Sequence, residues 1–447
     1  MKINKDLSYL TNPICYRHSR YIFNRRFLLI VHLMFFVFIC GAQDLKVGCA
    51  KRVLTPNPLL PVSGGVGLPK PAEIKKGDLY VRAMVLTKGT EKIAIVSIDN
   101  LGWPAALGNK SRSLIKEIPS ENILIGATHT HSAPDAYAFP NSEGIHGADL
   151  EYLDWCTVQV AETIKEALKN TEPAQLKIAV GKAEGKIAYN YYAPDLYDPR
   201  CGVIQAIGTQ GKNKGKPIVT LVNYAIHPEV IGSNRGILSP DLVGPLNEKI
   251  EAETGGMGIF MNGAQGGMVT ADNRLADGKE AGNWEECIRI GNLLASEALR
   301  IVKDAPVQKN ADILCTYKKV AFPIESAMLR FILKNSPLSM GSSDGQSIQT
   351  TINLLNIGSA QILTIPGEAL PNIGFYLKRK MNTGHPFLFG LTNDAFGYIL
   401  TKEDFNSFER YKYISRTSLG EMTGEILISA SLDLINNSPK PKKTDTQ

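Results

Sequence analysis

The chain has 447 residues, 44% of them apolar and 21% charged, a balance that supports a substantial core and excludes a disordered protein. Its formal charge of +6 does not mark a nucleic-acid binder. The first 42 residues carry five of those charges, through Lys2, Lys5, Arg17, Arg20, Arg25 and Arg26 against Asp6, and the remainder stands near +1.

The amino terminus combines that basic region with an apolar run from Phe27 to Ile39 and a small-residue stop at Cys40-Gly41-Ala42. This pattern predicts a signal peptide over residues 1–42, cleaved after Ala42, and a secreted or periplasmic protein. The run is too short to span a membrane comfortably. A lipoprotein anchor at Cys40 is the alternative, but Ile39 is a poor residue to precede a lipidated cysteine. The five later cysteines, Cys49, Cys156, Cys201, Cys287 and Cys315, form no close pairs, so they are expected as small buried apolar residues rather than as disulfides or zinc thiolates.

Past the leader, β-rich runs alternate with helical ones. "KIAIVSID" (92–99), "NILIGATHTH" (122–131), "PIVTLVNYAIHP" (217–228) and "MGIFMNG" (257–263) read as strands, while "DLEYLDWCTVQVAETIKEALKN" (149–170) and "PLNEKIEAETG" (245–255) read as helices. The interleaving predicts an α/β layered fold in one domain over residues 43–437, followed by a polar tail over 438–447 that contains the basic trio Lys440, Lys442 and Lys443. No helix shows the basic amphipathic face that would lie on a bilayer.

Chemistry concentrates at the ends of these strands. If the strand runs on through "THTH", His129 and His131 point to the same face, at the carboxyl end where open α/β sheets place ligands. Two imidazoles do not make a metal site, and ordinary hydrogen-bonded histidines remain the other reading. His227, in "NYAIHPEV", has the same strand-to-loop placement, whereas His146 and His385 lie in turns that favour a structural role. Glu368 follows a "PG" turn from which a loop can aim it into a cleft, although a glutamate complementing a helix start reads the same way. "NGAQGG" (262–267) can bring backbone close to a substrate but lacks the lysine and hydroxyl of a phosphate-binding loop.

Taken in order, "GATHTHSAPD", "NYAIHP", "NGAQGG", "TIPGEALP" and "GLTNDAFGYILTKEDF" resemble the neutral ceramidase family, secreted non-lysosomal amidases of N-acyl-sphingosine. The resemblance runs from about Ala50 to about Ile435. It implies layered mixed sheets flanked by helices, as in the ceramidase catalytic domain, without the immunoglobulin-like carboxyl-terminal domain of the long members. It also implies Zn2+ held by His129, His227, Glu368 and Tyr398, with His131 beside the substrate carbonyl and Tyr411 as a further active-site tyrosine. Asn190, Asn262, Gly266 and Gly267 fall at the expected substrate-side positions.

The departures bear on mechanism. Val269 stands where the family has its catalytic serine, Gly267 where it has an aspartate, Tyr191 in place of an arginine after Asn190, and Ala395 in place of a tyrosine; Thr270 lies one position from the missing serine. The expectation is therefore a secreted zinc hydrolase that cleaves an amide or related bond by metal-activated water, with His131 stabilising charge or moving a proton. The substrate, a small molecule, lipid or glycan, need not be ceramide. Two other readings stay open: a carbohydrate-active enzyme using Asp241, Asp272 or Glu285, and a non-catalytic ligand-binding relative.

Overall fold

Strands that are apolar at successive positions must be covered on both faces. The computed structural model, which describes residues 44–341 and 345–441, covers them with a second sheet on one side and helices on the other. Its main sheet has eight strands in the order Met257–Asn262, Pro217–Tyr224, Arg200–Gly208, Glu172–Lys182, Lys46–Val53, Tyr80–Lys88, Glu91–Ile98 and Ile123–Ala127, and Val307–Gln308 joins Glu172–Lys182 as a ninth. Both ends of this path are parallel pairs, Pro217–Tyr224 with Met257–Asn262 and Glu91–Ile98 with Ile123–Ala127, and the strands between run antiparallel.

A second sheet of four strands, Ile313–Pro323, Ser347–Ile357, Ala360–Thr364 and His385–Phe389, ends in a third parallel pair, Ala360–Thr364 with His385–Phe389. The two sheets face each other through Met84, Leu86, Ile93 and Ile95 on one side and Leu355, Ile357, Ile362 and Phe387 on the other. Alternate residues of the first sheet, Val81, Ala83 and Val85, turn away to meet the helix Leu150–Lys169 through Leu153, Val160 and Ile164. Further along the same outer layer, Val203, Val222 and Phe260 pack under the helices Val243–Thr254 and Trp284–Lys303. Pro371–Lys380 and Thr423–Asn437 cover the second sheet through Ile373, Leu377, Leu427 and Leu434. The result is a helix–sheet–sheet–helix stack, the layered α/β arrangement with mixed sheets that the alternation of elements predicts.

Local residues set the helix boundaries. Asp149 caps the helix Leu150–Lys169 by accepting a hydrogen bond from the Tyr152 amide at 2.9 Å. Gly255, at φ 73°, ends the helix Val243–Thr254. All five described cysteines are free thiols, Cys156, Cys201 and Cys287 buried and the other two half-buried. One strand is shorter than read: Ile123–Ala127 stops before the histidines, because the Thr128 and His129 amides turn to the carbonyls of Ile98 and Asn100. The leader over residues 1–42 lies outside the described residues, and among those described no helix is long and apolar enough to cross a membrane.

Candidate metal centre

The three parallel strand pairs bring carboxyl ends to one place. After Ala127 the chain supplies His129 and His131; after Tyr224, His227; after Asn262, the glycine-rich turn; after Thr364, Glu368; and after Phe389, the segment leading to Tyr398. Buried Asn262 ties three of these ends together. Its Nδ2 donates to the carbonyls of Thr128 at 3.0 Å and Ile226 at 2.8 Å, its Oδ1 accepts from the Ile226 and Gly263 amides, and its own carbonyl accepts from Gly390 at 3.0 Å.

His129 and His131 do not sit side by side on a strand as the spacing suggests. His129 instead adopts φ 74°, rare for a residue with a side chain, and this turn brings the two rings edge to face with centroids 4.9 Å apart. His227 stands 4.7 Å from His129 and 5.7 Å from His131 by the same measure. Each of two rings is fixed by a backbone carbonyl on its outer nitrogen: His129 Nδ1 donates to Leu101 at 2.5 Å and His227 Nδ1 to Val269 at 2.8 Å. Their Nε2 atoms thereby face inward, where Glu368 Oε2 lies 3.5 Å from His129 Nε2 and 3.1 Å from His227 Nε2. Glu368 is Cα-paired with Tyr398 across the short parallel sheet Gly367–Ala369 and Phe396–Ile399, so the two candidate ligands are locked in register.

The electrostatics follow from packing. Burial alone would raise Glu368, but the neighbouring His129 and His227 outweigh it and hold the carboxyl below its usual range. Burial pulls His227 down, yet hydrogen bonding to Glu368 and the nearby carboxylates push it up to about 9. His131 is driven well below its usual value by burial and by the charges of His129 and His227, and its Nε2 is buried with no hydrogen-bond partner among the described residues. Burial also raises the Tyr398 phenol well above its usual value.

This donor set fits a metal ion. Ligands of a tetrahedral zinc, bonded at about 2.0–2.2 Å, stand about 3.3–3.6 Å from one another; the Glu368–His129 separation of 3.5 Å matches this, and the Glu368–His227 separation of 3.1 Å is slightly shorter. One ring nitrogen from each of His129, His131 and His227 lies within 4.8 Å of the other two. An inward-facing, unpartnered imidazole nitrogen is what such a site requires of its donors.

The cluster borders a cleft of about 220 Å³, with His129, His131, Glu368 and Tyr398 in its lining. Phe139, Leu329, Leu333, Met340, Phe396 and Leu419 make its apolar wall, and Ala395 lines it beside Tyr398.

Other expected residues lie elsewhere. Tyr411 packs on Tyr192 and Phe408 and does not line the cleft; Tyr413, two residues on, does, with its ring 5.9 Å from that of Tyr398. Asn190 shapes its own turn, accepting from the Tyr192 and Ala193 amides and donating to the Leu196 carbonyl. Asn262 is the tie described above. Gly266 and Gly267 back the Glu368 loop instead of facing a ligand: a Cβ on Gly266 would stand 2.2 Å from the Glu368 carbonyl oxygen, and Gly267 holds φ 68° against Leu370. None of Asn190, Asn262, Gly266 and Gly267 lines the cleft.

Val269 is fully buried in the core beside Tyr224 and Phe260, and its carbonyl accepts from both the amide and the ring of His227. The position where the resemblance places a nucleophile here fixes the His227 ring through its backbone carbonyl. Neither Thr270 nor Asp241, Asp272 or Glu285 lines the cleft. Asp241 accepts from the Ile231 and Leu242 amides, and Asp272 forms a bidentate pair with Arg274. Sequence reasoning missed Tyr413 and Tyr137, which line the cleft, and the carbonyl of Leu101, none of which carries a motif, and Glu229, which follows His227-Pro228 directly and lies 3.5 Å from His131 Nδ1.

Two solved structures share this architecture. A neutral ceramidase from Pseudomonas aeruginosa aligns with a TM-score of 0.68 at 15% identity, over 91% of this chain and 76% of that one. A ceramidase complexed with C2 aligns with the same score and identity, over 91% of this chain and 77% of its own. The protein thus has a neutral ceramidase-like fold. No protein-family model matches the sequence, and no curated protein matches it.

Proposed function

We propose that this protein is a secreted zinc-dependent hydrolase that cleaves the amide, or a related acyl bond, of a substrate bearing an apolar chain. The observation that carries the reading is the convergence of three imidazoles and Glu368 beside a cleft with an apolar wall. The likeness to solved ceramidases supports acyl-amide chemistry, and the leader-like residues 1–42 support secretion.

His129, His227 and Glu368 hold the ion, with Tyr398 as the fourth ligand by resemblance. A bound zinc supplies Lewis acidity toward a carbonyl and lowers the pKa of water toward about 7. The carbonyls of Leu101 and Val269 fix the tautomers that present Nε2 inward. His131, held neutral, offers Nε2 as an acceptor next to the reacting bond and can pass the proton to the leaving nitrogen. The apolar wall binds the chain and excludes bulk water, and Ala395 leaves space where the family carries a tyrosine. No serine is needed for this route, which accords with the buried Val269. The carbohydrate reading finds none of Asp241, Asp272 and Glu285 at the cleft.

Elemental analysis of the purified protein tests the proposal, with His129→Ala and Glu368→Ala beside it and a panel of N-acyl amides, esters and glycosides as substrates. Stoichiometric zinc, lost in both variants together with fatty-acid release, is expected. A protein free of metal would refute the reading, and tight metal binding without turnover of any substrate would favour a ligand-binding relative.

A further inference from the structure

The cleft contains a phenol to which the acyl-hydrolase reading assigns no task. Tyr137 lines it where the metal cluster meets the apolar wall: its ring tilts against Phe139 of that wall with centroids 4.9 Å apart, while its hydroxyl rests on Gly102, the residue after the Leu101 carbonyl that fixes His129. A Cβ on Gly102 would stand 2.0 Å from Tyr137 Oη and 2.7 Å from the Ala395 methyl carbon, so only glycine admits the phenol there, and the hydroxyl and the methyl border the same small space. The Tyr137 backbone is bonded at both ends, its amide to Asp135 Oδ1 at 2.8 Å and its carbonyl to the Ser336 hydroxyl at 3.4 Å, but its side-chain hydroxyl has no hydrogen-bond partner among the described residues. Burial, and after it the charge of Glu368, keeps the phenol protonated, so it offers an O–H. A few polar groups placed in a largely apolar pocket are what fix a ligand's orientation.

Resting on the acyl-hydrolase reading, we propose that Tyr137 determines specificity by donating its O–H to an oxygen on the acyl chain, held in the space beside Ala395 close to the scissile carbonyl. The preferred substrate is then an amide of a hydroxyacyl or oxoacyl chain, and a plain acyl amide is the poorer one. Further along the wall, Phe139, Leu329, Leu333, Met340 and Leu419 present apolar side chains. A chain oxygen lying among them would lose its water without gaining a partner; beside Tyr137 it gains one. A neutral hydrogen bond of this kind is worth about 3- to 10-fold in binding. The assignment leaves the metal ligands and the proton-accepting role of His131 as they are.

Two measurements on the full chain, supplied with zinc, test this in the parent and in Tyr137→Phe, which removes one oxygen atom and keeps the ring. The first is kcat/KM for N-acyl amides of one chain length that carry hydrogen, a hydroxyl or an oxo group on the second or third chain carbon. The second is the calorimetric affinity for the corresponding free acids. The parent is expected to favour an oxygen-bearing member by about 3- to 10-fold in both, and in Tyr137→Phe that ratio should fall to about 1. Ala395→Tyr, which fills the space, should lose the preference as well. No preference in the parent overturns the inference, and so does a loss in Tyr137→Phe shared equally by plain and oxygen-bearing compounds with the ratio kept, which would mark a structural role. A parent that prefers the oxygen-bearing acids in binding but cleaves no amide brings down the hydrolase reading and leaves Tyr137 as a ligand-binding residue. A parent that neither binds the acids nor cleaves the amides brings down both. Should Tyr137→Phe fail to fold, the parent's preference and Ala395→Tyr decide.

Discussion

At the scale of single residues, the positions that matter most are under steric or electrostatic tension. His129 keeps φ 74° because its amide bonds Asn100 and its ring bonds Leu101; strain of this kind persists where the surroundings over-determine the backbone. Gly266 lies so close to the Glu368 carbonyl that any side chain must displace the loop. Gly266→Ala should lower stability by about 1–3 kcal/mol and weaken metal retention, read by urea unfolding and elemental analysis; a fully stable, metal-replete variant would show the loop to be soft. Asp241, fully buried with two backbone amides on its carboxylate, is pushed up to about 6 by burial. A carboxyl whose folded pKa is raised binds its proton more tightly folded than unfolded, so this site's contribution to stability is greatest below about pH 4 and declines as pH rises through about 6. Asp241→Asn, which does not titrate, should therefore cost more stability at pH 4.5 than at pH 7.5, by about 2 kcal/mol. Denaturant curves at the two pH values check the sign, and a larger cost at pH 7.5 would contradict it.

At the scale of elements, the site is a property of strand ends. Parallel pairing at both ends of the main sheet and at the end of the second points their carboxyl termini the same way, and Asn262 bonds the loops that leave them. Asn262→Ala would leave the Thr128 and Ile226 carbonyls and the Gly263 amide without their partner. Each buried group stranded in this way costs about 1–3 kcal/mol, so a loss of about 3 kcal/mol or more is expected in urea unfolding, with weaker metal binding. A change under about 1 kcal/mol would mean that the loops are held by their other bonds.

At the scale of the whole molecule, the proposed ligands come from different layers: His129 and His227 leave the main sheet, and Glu368 leaves the second. A metal held by all of them would cross-link the two sheets across their shared apolar core. Ligand linkage predicts that an ion present at about 1,000 times its dissociation constant adds about 4 kcal/mol. Stripping the metal with a chelator should lower Tm by several degrees and restoring zinc should recover it, followed by scanning calorimetry; an unchanged Tm would show that the site does not couple the layers.

The sequence by itself determined the alternation of strands and helices and the strand-end placement of the histidines, and its resemblance to a family pointed to Glu368 and Tyr398, because periodicity and short motifs are local properties. It did not locate the support of those residues. Whether Val269 is a lost nucleophile or the carbonyl that orients His227 depends on a strand pairing between distant segments, and Tyr413 replaces Tyr411 at the cleft because a short helical turn directs one ring inward and the other onto Tyr192. The glycines and Asn262 fall at substrate-side positions by resemblance, yet their close approaches are to Glu368, Thr128 and Ile226. Glu229 acquires a partner only when two loops separated by about a hundred residues meet. Tertiary structure decided these matters because hydrogen-bond direction and steric proximity between chain-distant groups are set by packing of the layers, which no local pattern of residues encodes.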